Sequence, residues 1–129
     1  MQDNFSEIRP LSAVRELRGK RVLVRAGIDA PLSEDGKVVD DFRVRKSLPT
    51  LHFLQAAGAR VIIVGHTSRA DGTSDASLKE ICTILNTYVP VKWAGGILGE
   101  AIRAQIEALK DGEMIMLENL RFEKGEKDN

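Results

Sequence analysis

Hydrophobic positions along the chain fall into short continuous runs separated by longer stretches of helical period. Residues 20–26 (KRVLVRA), 59–65 (ARVIIVG), 89–95 (VPVKWAG) and 113–119 (EMIMLEN) are β-branched or aliphatic runs with polar or glycine flanks. Runs of that length and make-up predict strands buried on both faces. Between them, Val44, Leu48, Leu51 and Leu54 recur at helical spacing, with Asp40 or Asp41 as cap and Gly58 as stop. Pro49 lies inside that pattern and predicts a kink, or a true helix start near it. Ser77 is placed to cap a second helix in which Leu78, Ile81, Cys82 and Leu85 share a face. A third helix carries Ile97, Ala101, Ile102, Ile106 and Leu109 and is expected to end at Asp111 and Gly112. SEDG at 33–36, with Val38 and Val39 behind it, signals a turn and a small hairpin.

Strands alternating with helices imply βαβ units. The expected fold class is therefore α/β, a Rossmann-like parallel sheet with helices on both faces in three layers. No internal repeat or linker interrupts the pattern, and the polar end RFEKGEKDN is expected to fray.

Composition narrows the partners. The 129 residues carry 19 basic and 19 acidic side chains, a formal charge of zero, so nothing favours nucleic acid or an anionic membrane surface. The longest aliphatic stretch, VIIV at 61–64, is far too short to span a bilayer, and the amino terminus lacks an apolar run behind its charges. A cytoplasmic location is the expectation. Cys82 is the single cysteine and sits at an apolar helical position, which predicts a buried thiol rather than a nucleophile.

Open parallel sheets bind ligands outside the carboxyl ends of their strands. There the chain places Arg25-Ala26-Gly27-Ile28-Asp29 after the first strand, His66-Thr67-Ser68-Arg69 after the second, and Glu118-Asn119-Leu120-Arg121 after the fourth. Arg43 falls in the first turn of the first helix. A guanidinium matches phosphate or carboxylate oxygens two at a time, so arginines converging from separate strands point to a small, phosphorylated anion. Taken singly, each has an ordinary reading: Arg25 as a structural ion pair, Arg43 as a solvated helix residue, His66 as a hydrogen-bonded loop histidine, and Arg69 and Arg121 as exposed charges. Convergence carries the inference. Two histidines and one buried cysteine form no metal constellation, and neither G-x-x-x-x-G-K-[ST] nor G-x-G-x-x-G is present. Gly95-Gly96 before the third helix is only a weak anion-site signal.

In order, KRVLVRAGIDAPL, DDFRVRKSLPT, GHTSR and LENLRFEKGEK resemble the amino-terminal half of phosphoglycerate kinase, from Lys20 to nearly the end of the chain. The resemblance implies an amino-terminal domain that binds 3-phosphoglycerate or 1,3-bisphosphoglycerate. Magnesium ATP or ADP would be bound by a separate carboxy-terminal domain, and hinge closure would bring the two substrates together for phosphoryl transfer in glycolysis. It implies substrate-binding roles for Gly27, Asp29, Arg43, His66, Arg69 and Arg121, with Arg43 the catalytic group nearest the transferred phosphoryl. Two departures stand out: the family's D-F-N reads here Gly27-Ile28-Asp29, and its L-G-R-P reads Thr67-Ser68-Arg69-Ala70. Asp29 should repel an anionic substrate unless Arg25 or a lysine neutralises it. Residues 1–129 would form an incomplete substrate domain without the nucleotide domain. Binding without turnover is expected of it, and self-association through an unpaired sheet edge at the fourth strand or its neighbour. The alternatives are a non-catalytic phosphate-binding module that keeps the cationic patch, and an unrelated flavodoxin-like domain.

Overall fold

The computed structural model describes residues 8–68 and 75–128. Four parallel strands form one sheet: β1 (Arg21–Arg25), β2 (Arg60–Val64), β3 (Lys92–Trp93) and β4 (Met114–Met116), in the order β1-β2-β4-β3. Four helices accompany them, α1 (Phe42–Ala56), α2 (Lys79–Leu85), α3 (Glu100–Glu107) and α4 (Lys124–Asp128).

Strand order dictates the layers. The steps from β1 to β2 and from β2 to β3 run the same way across the sheet, whereas β3 to β4 runs back. Right-handed crossovers then put α1 and α2 on one face and α3 on the other. The core divides accordingly. Val44, Leu51 and Leu54 of α1 and Ile81, Cys82 and Leu85 of α2 pack with Val61, Ile63, Met114 and Met116 on one face. Ile102 and Leu109 meet Ile62, Val64, Ile115 and Leu117 on the other. The three-layer α/β expectation holds.

Local chemistry explains the element ends. Asp40 Oδ1 accepts from the Phe42 backbone N–H at 2.9 Å, so Asp40, not Asp41, satisfies the first turn of α1. Asp41 instead accepts from Tyr88 Oη (2.5 Å) and Arg45 Nε (2.9 Å), contacts that hold its carboxyl below the usual carboxylate range. At the other end Gly58 takes φ +76°, where a Cβ would stand 3.0 Å from Arg18 Nη1. The helix is present through Pro49 and starts at Phe42, not near the proline. Pro49 and Arg45 both face solvent, so the Arg45 carbonyl that the ring deprives of a partner is open to water. Ser77 Oγ accepts from Lys79 N–H at 3.1 Å, supporting the expected start of α2. The hairpin at SEDG is present as an antiparallel bridge between Leu32 and Val38.

Three expectations shift. β3 shrinks to two residues because Pro90 has no N–H for the ladder and the Val91 N–H donates to Asn86 Oδ1 (2.8 Å) instead. α3 ends at Glu107, and Leu109 reaches the core from the turn that follows. Residues 124–128, expected to fray, form α4.

Central strands are covered on both faces, but β1 is not. Its burial alternates, and Leu23 is 68% exposed between the outward Arg21 and Arg25. β4 is interior, so the sheet edges are its neighbour β3 and β1. An apolar residue on an unpaired parallel edge is expected to drive weak self-association, moderated by the two arginines. Sedimentation should show concentration dependence that Leu23→Lys reduces; a strict monomer at every concentration would contradict this.

Candidate functional site

The carboxyl ends of β1, β2 and β4 converge through backbone hydrogen bonds. Ala26 N–H donates to Val64 O (2.9 Å), Leu117 N–H to Ile63 O (3.0 Å), and Leu120 N–H to Gly65 O (3.0 Å). Gly65 is required there, since a Cβ would lie 3.0 Å from both Ala26 O and Ile28 Cγ1. The segments 26–30, 65–68 and 117–121 thus form one contiguous rim.

The turn after β1 is held from below. Ile28 and Ala30 are fully buried, and Ala30 N–H donates to Ile28 O at 2.7 Å. Thr67 Oγ1 donates to Ala30 O at 3.1 Å. Alternation therefore turns Gly27 and Asp29 outward, with Gly27 exposed and Asp29 half-buried. A Cβ at Gly27 would meet nothing within 4 Å, so space rather than strain surrounds it.

Two residues without an assigned role in the sequence hold the rim together. Asn119 is completely buried; its Nδ2 donates to Thr67 O (2.7 Å) and Ala76 O (2.6 Å), and its Oδ1 accepts from Arg121 N–H (2.9 Å). It therefore ties both ends of the loop that follows β2 to the turn that carries Arg121. Glu118 Oε1 accepts from Leu78 N–H (2.9 Å) and Asn119 N–H (2.7 Å), and its Oε2 accepts from Ser77 Oγ (2.7 Å). A carboxylate from the end of β4 thus satisfies donors at the start of α2. The available signal was two polar residues directly behind a fully buried strand, where burial demands partners.

Gly27, Asp29, His66 and Arg121 all lie on this rim, and Arg43 joins them through an ion pair: its Nη1 lies 2.6 Å from Asp29 Oδ1. Asp29 is thus neutralised by Arg43, not by Arg25 or a lysine. Arg25 pairs with Glu126 of α4 at 2.6 Å and remains more than half exposed, so it is an ion-paired surface arginine rather than a buried one. His66 and Arg121 are half-buried. Arg69 lies outside the described residues. Lys127 pairs with Asp75, so α4 is tied both to the last residue of β1 and to the far end of the loop that follows β2.

Neighbouring features are of different character. A cleft of about 560 Å³ is lined by Glu34, Asp35, Asp75 and Glu80 with Lys79, an acidic wall unsuited to an anion. Among the described residues no three of His, Cys, Asp and Glu gather as a metal site would require. Gly95 and Gly96 do not cap α3, whose first turn follows Gly99. Burial pushes the Cys82 thiol up to about 11, which leaves it protonated and unreactive at neutral pH. No described helix is long and apolar enough to cross a membrane.

Comparison with known proteins places these features in a family. The protein from Leifsonia xyli subsp. xyli (strain CTCB07) named phosphoglycerate kinase is 44% identical over 123 residues, which cover 92% of this chain and 30% of that protein. Its namesake from Aquifex aeolicus (strain VF5) is 40% identical over 114 residues, 86% of this chain and 29% of the relative. Among solved structures, phosphoglycerate kinase from Pyrococcus horikoshii OT3 superposes with a TM-score of 0.82 at 30% identity, covering 91% of this chain and 29% of that one. The chain therefore spans about 30% of the length of the curated relatives it matches. A family model for phosphoglycerate kinase matches residues 11–129, all but the first ten, and the chain belongs to that family.

Proposed function

We propose that this chain supplies the 3-phosphoglycerate and 1,3-bisphosphoglycerate site of a phosphoglycerate kinase, and that the rim of the sheet is that site. The observation that carries the reading is convergence: segments behind three separate strands are hydrogen-bonded into one rim bearing His66 and Arg121, with Arg43 paired to it. Gly27 and Asp29 form the wall beside the substrate, and Arg69 joins the set on the resemblance alone.

In the transfer, the bond between phosphorus and the acyl oxygen of 1,3-bisphosphoglycerate breaks, and a bond to the terminal oxygen of ADP forms. Magnesium ADP would supply the accepting oxygen and neutralise part of the charge. This chain's contribution is electrostatic. Arg43, second residue of α1, presents its planar fork where the positive end of the helix macrodipole adds to it. Charge spread over the phosphoryl group in flight needs such fixed cations more than it needs a nucleophile.

Calorimetric titration of the chain with 3-phosphoglycerate tests the reading. Saturable one-to-one binding that weakens as salt rises is expected, because exposed charges are screened. Absence of binding at millimolar ligand would overturn it.

A further inference from the structure

Asp29 and Arg43 are fourteen positions apart in sequence, yet their side chains meet at 2.6 Å on the rim. Both backbones are fixed: Asp29 lies between the fully buried Ile28 and Ala30, and the first turn of α1 is held by Asp40 and by Asp41, which Tyr88 engages. The carboxylate occupies the guanidinium that an incoming anion needs. We infer that Asp29 sets the strength and the charge preference of the anion site, acting as a tethered competitor for Arg43; the inference rests on the anion-site reading above.

Tethering gives the Asp29 carboxylate an effective concentration on the order of millimolar or above at Arg43. Any anion that engages Arg43 must first displace it, so the pair lowers the affinity for every ligand by one common factor. A phosphate monoester, carrying about −1.5 to −2 charges at neutral pH, gains more from Arg43 and can engage further cations of the rim. The pair is exposed, with the arginine side chain 59% accessible, so it is weak enough for a dianion to open. Once displaced, the carboxylate still stands beside the ligand and repels a dianion more than a monoanion, so Asp29 weakens the preference for phosphorylated ligands that the cations of the rim create. The open space at Gly27 leaves room for the displaced side chain to swing aside.

The test is Asp29→Asn, which keeps the shape and one acceptor oxygen while removing the charge. Affinities of the folded native and variant chains for 3-phosphoglycerate, inorganic phosphate and acetate are measured by titration, beside Arg43→Ala. Asp29→Asn should tighten phosphate binding roughly threefold to tenfold. It should tighten acetate binding by a smaller factor, so that the preference for phosphate over acetate widens. Asp29→Ser, which also removes the charge, should behave alike and guards against a folding defect in the first variant. If Arg43→Ala weakens binding but neither Asp29 variant alters affinity or preference, the competitor role is wrong while the anion site stands. If Arg43→Ala leaves phosphate binding unchanged, the anion site and the inference fall together.

Discussion

Replacing Asn119 by leucine should cost the domain about 3 kcal/mol or more of stability, a larger effect than any substitution of the exposed arginines. Asn119 has no exposed surface and satisfies three backbone groups: the carbonyls of Thr67 and Ala76 and the N–H of Arg121. Leucine has nearly the same shape and adds apolar burial, but it leaves all three groups without that partner. Each buried, unpaired polar group costs about 1–3 kcal/mol. Partial opening of the loop to water will recover some of this, so the sum is not simply additive. Urea unfolding of the two chains measures the difference. A loss below about 1 kcal/mol would mean that the loop is held by something other than Asn119. Because the same residue fixes both ends of the loop after β2, anion binding should fall with stability, and a fully stable variant with intact binding would contradict the clamp outright.

Arg43→Ala should weaken 3-phosphoglycerate binding by about 1.5–3 kcal/mol, the range for a charge-assisted hydrogen bond, or roughly ten- to hundredfold. The loss should exceed that of Arg121→Ala. Removing Arg43 deletes an attractive charge and also frees the Asp29 carboxylate, 2.6 Å away in the native chain, to repel the ligand. Arg43→Lys should fall between, since an ammonium keeps the charge but not the two-pronged geometry. Stability should change by less than about 1 kcal/mol, because the pair is exposed and such pairs contribute little. Titration calorimetry on folded variants measures each affinity, and equal affinities for native and Arg43→Ala chains would remove Arg43 from the site.

The layers and most elements were legible because single runs determine them. Residues 61–64 of β2 are apolar and buried without a break, as a strand covered on both faces must be, and Val44, Leu51 and Leu54 recur at the period of one helix face. Where the reading of element ends failed, a nearby side chain or turn decided. VPVKWAG looks like a full strand, yet Pro90 and the Asn86 side chain shorten it. The apolar period of α3 continues past its last helical residue, because Leu109 reaches the core from a turn. The rim was legible as a set of residues following strands, since strand ends in a parallel sheet lie on one edge. Its internal pairing was not. Nothing local assigns Asp29 to Arg43 or Arg25 to Glu126, which are separated by 14 and 101 positions and meet only after the sheet has formed. Asn119 and Glu118 escaped notice for the same reason, their partners lying at Thr67, Ala76, Ser77 and Leu78.

The central claim is that one small phosphorylated anion binds on the rim formed by the segments behind β1, β2 and β4. Backbone amide NMR during titration with 3-phosphoglycerate tests it most directly, because amides report the position of a ligand independently of any substitution. Shifts should concentrate at residues 26–30, 65–68 and 118–121 and at the start of α1, saturate together with one dissociation constant, and leave the acidic cleft beside Glu34, Asp35 and Glu80 unmoved. Shifts confined to that cleft or to the amino-terminal ends of the strands, or scattered without saturation, would contradict the account.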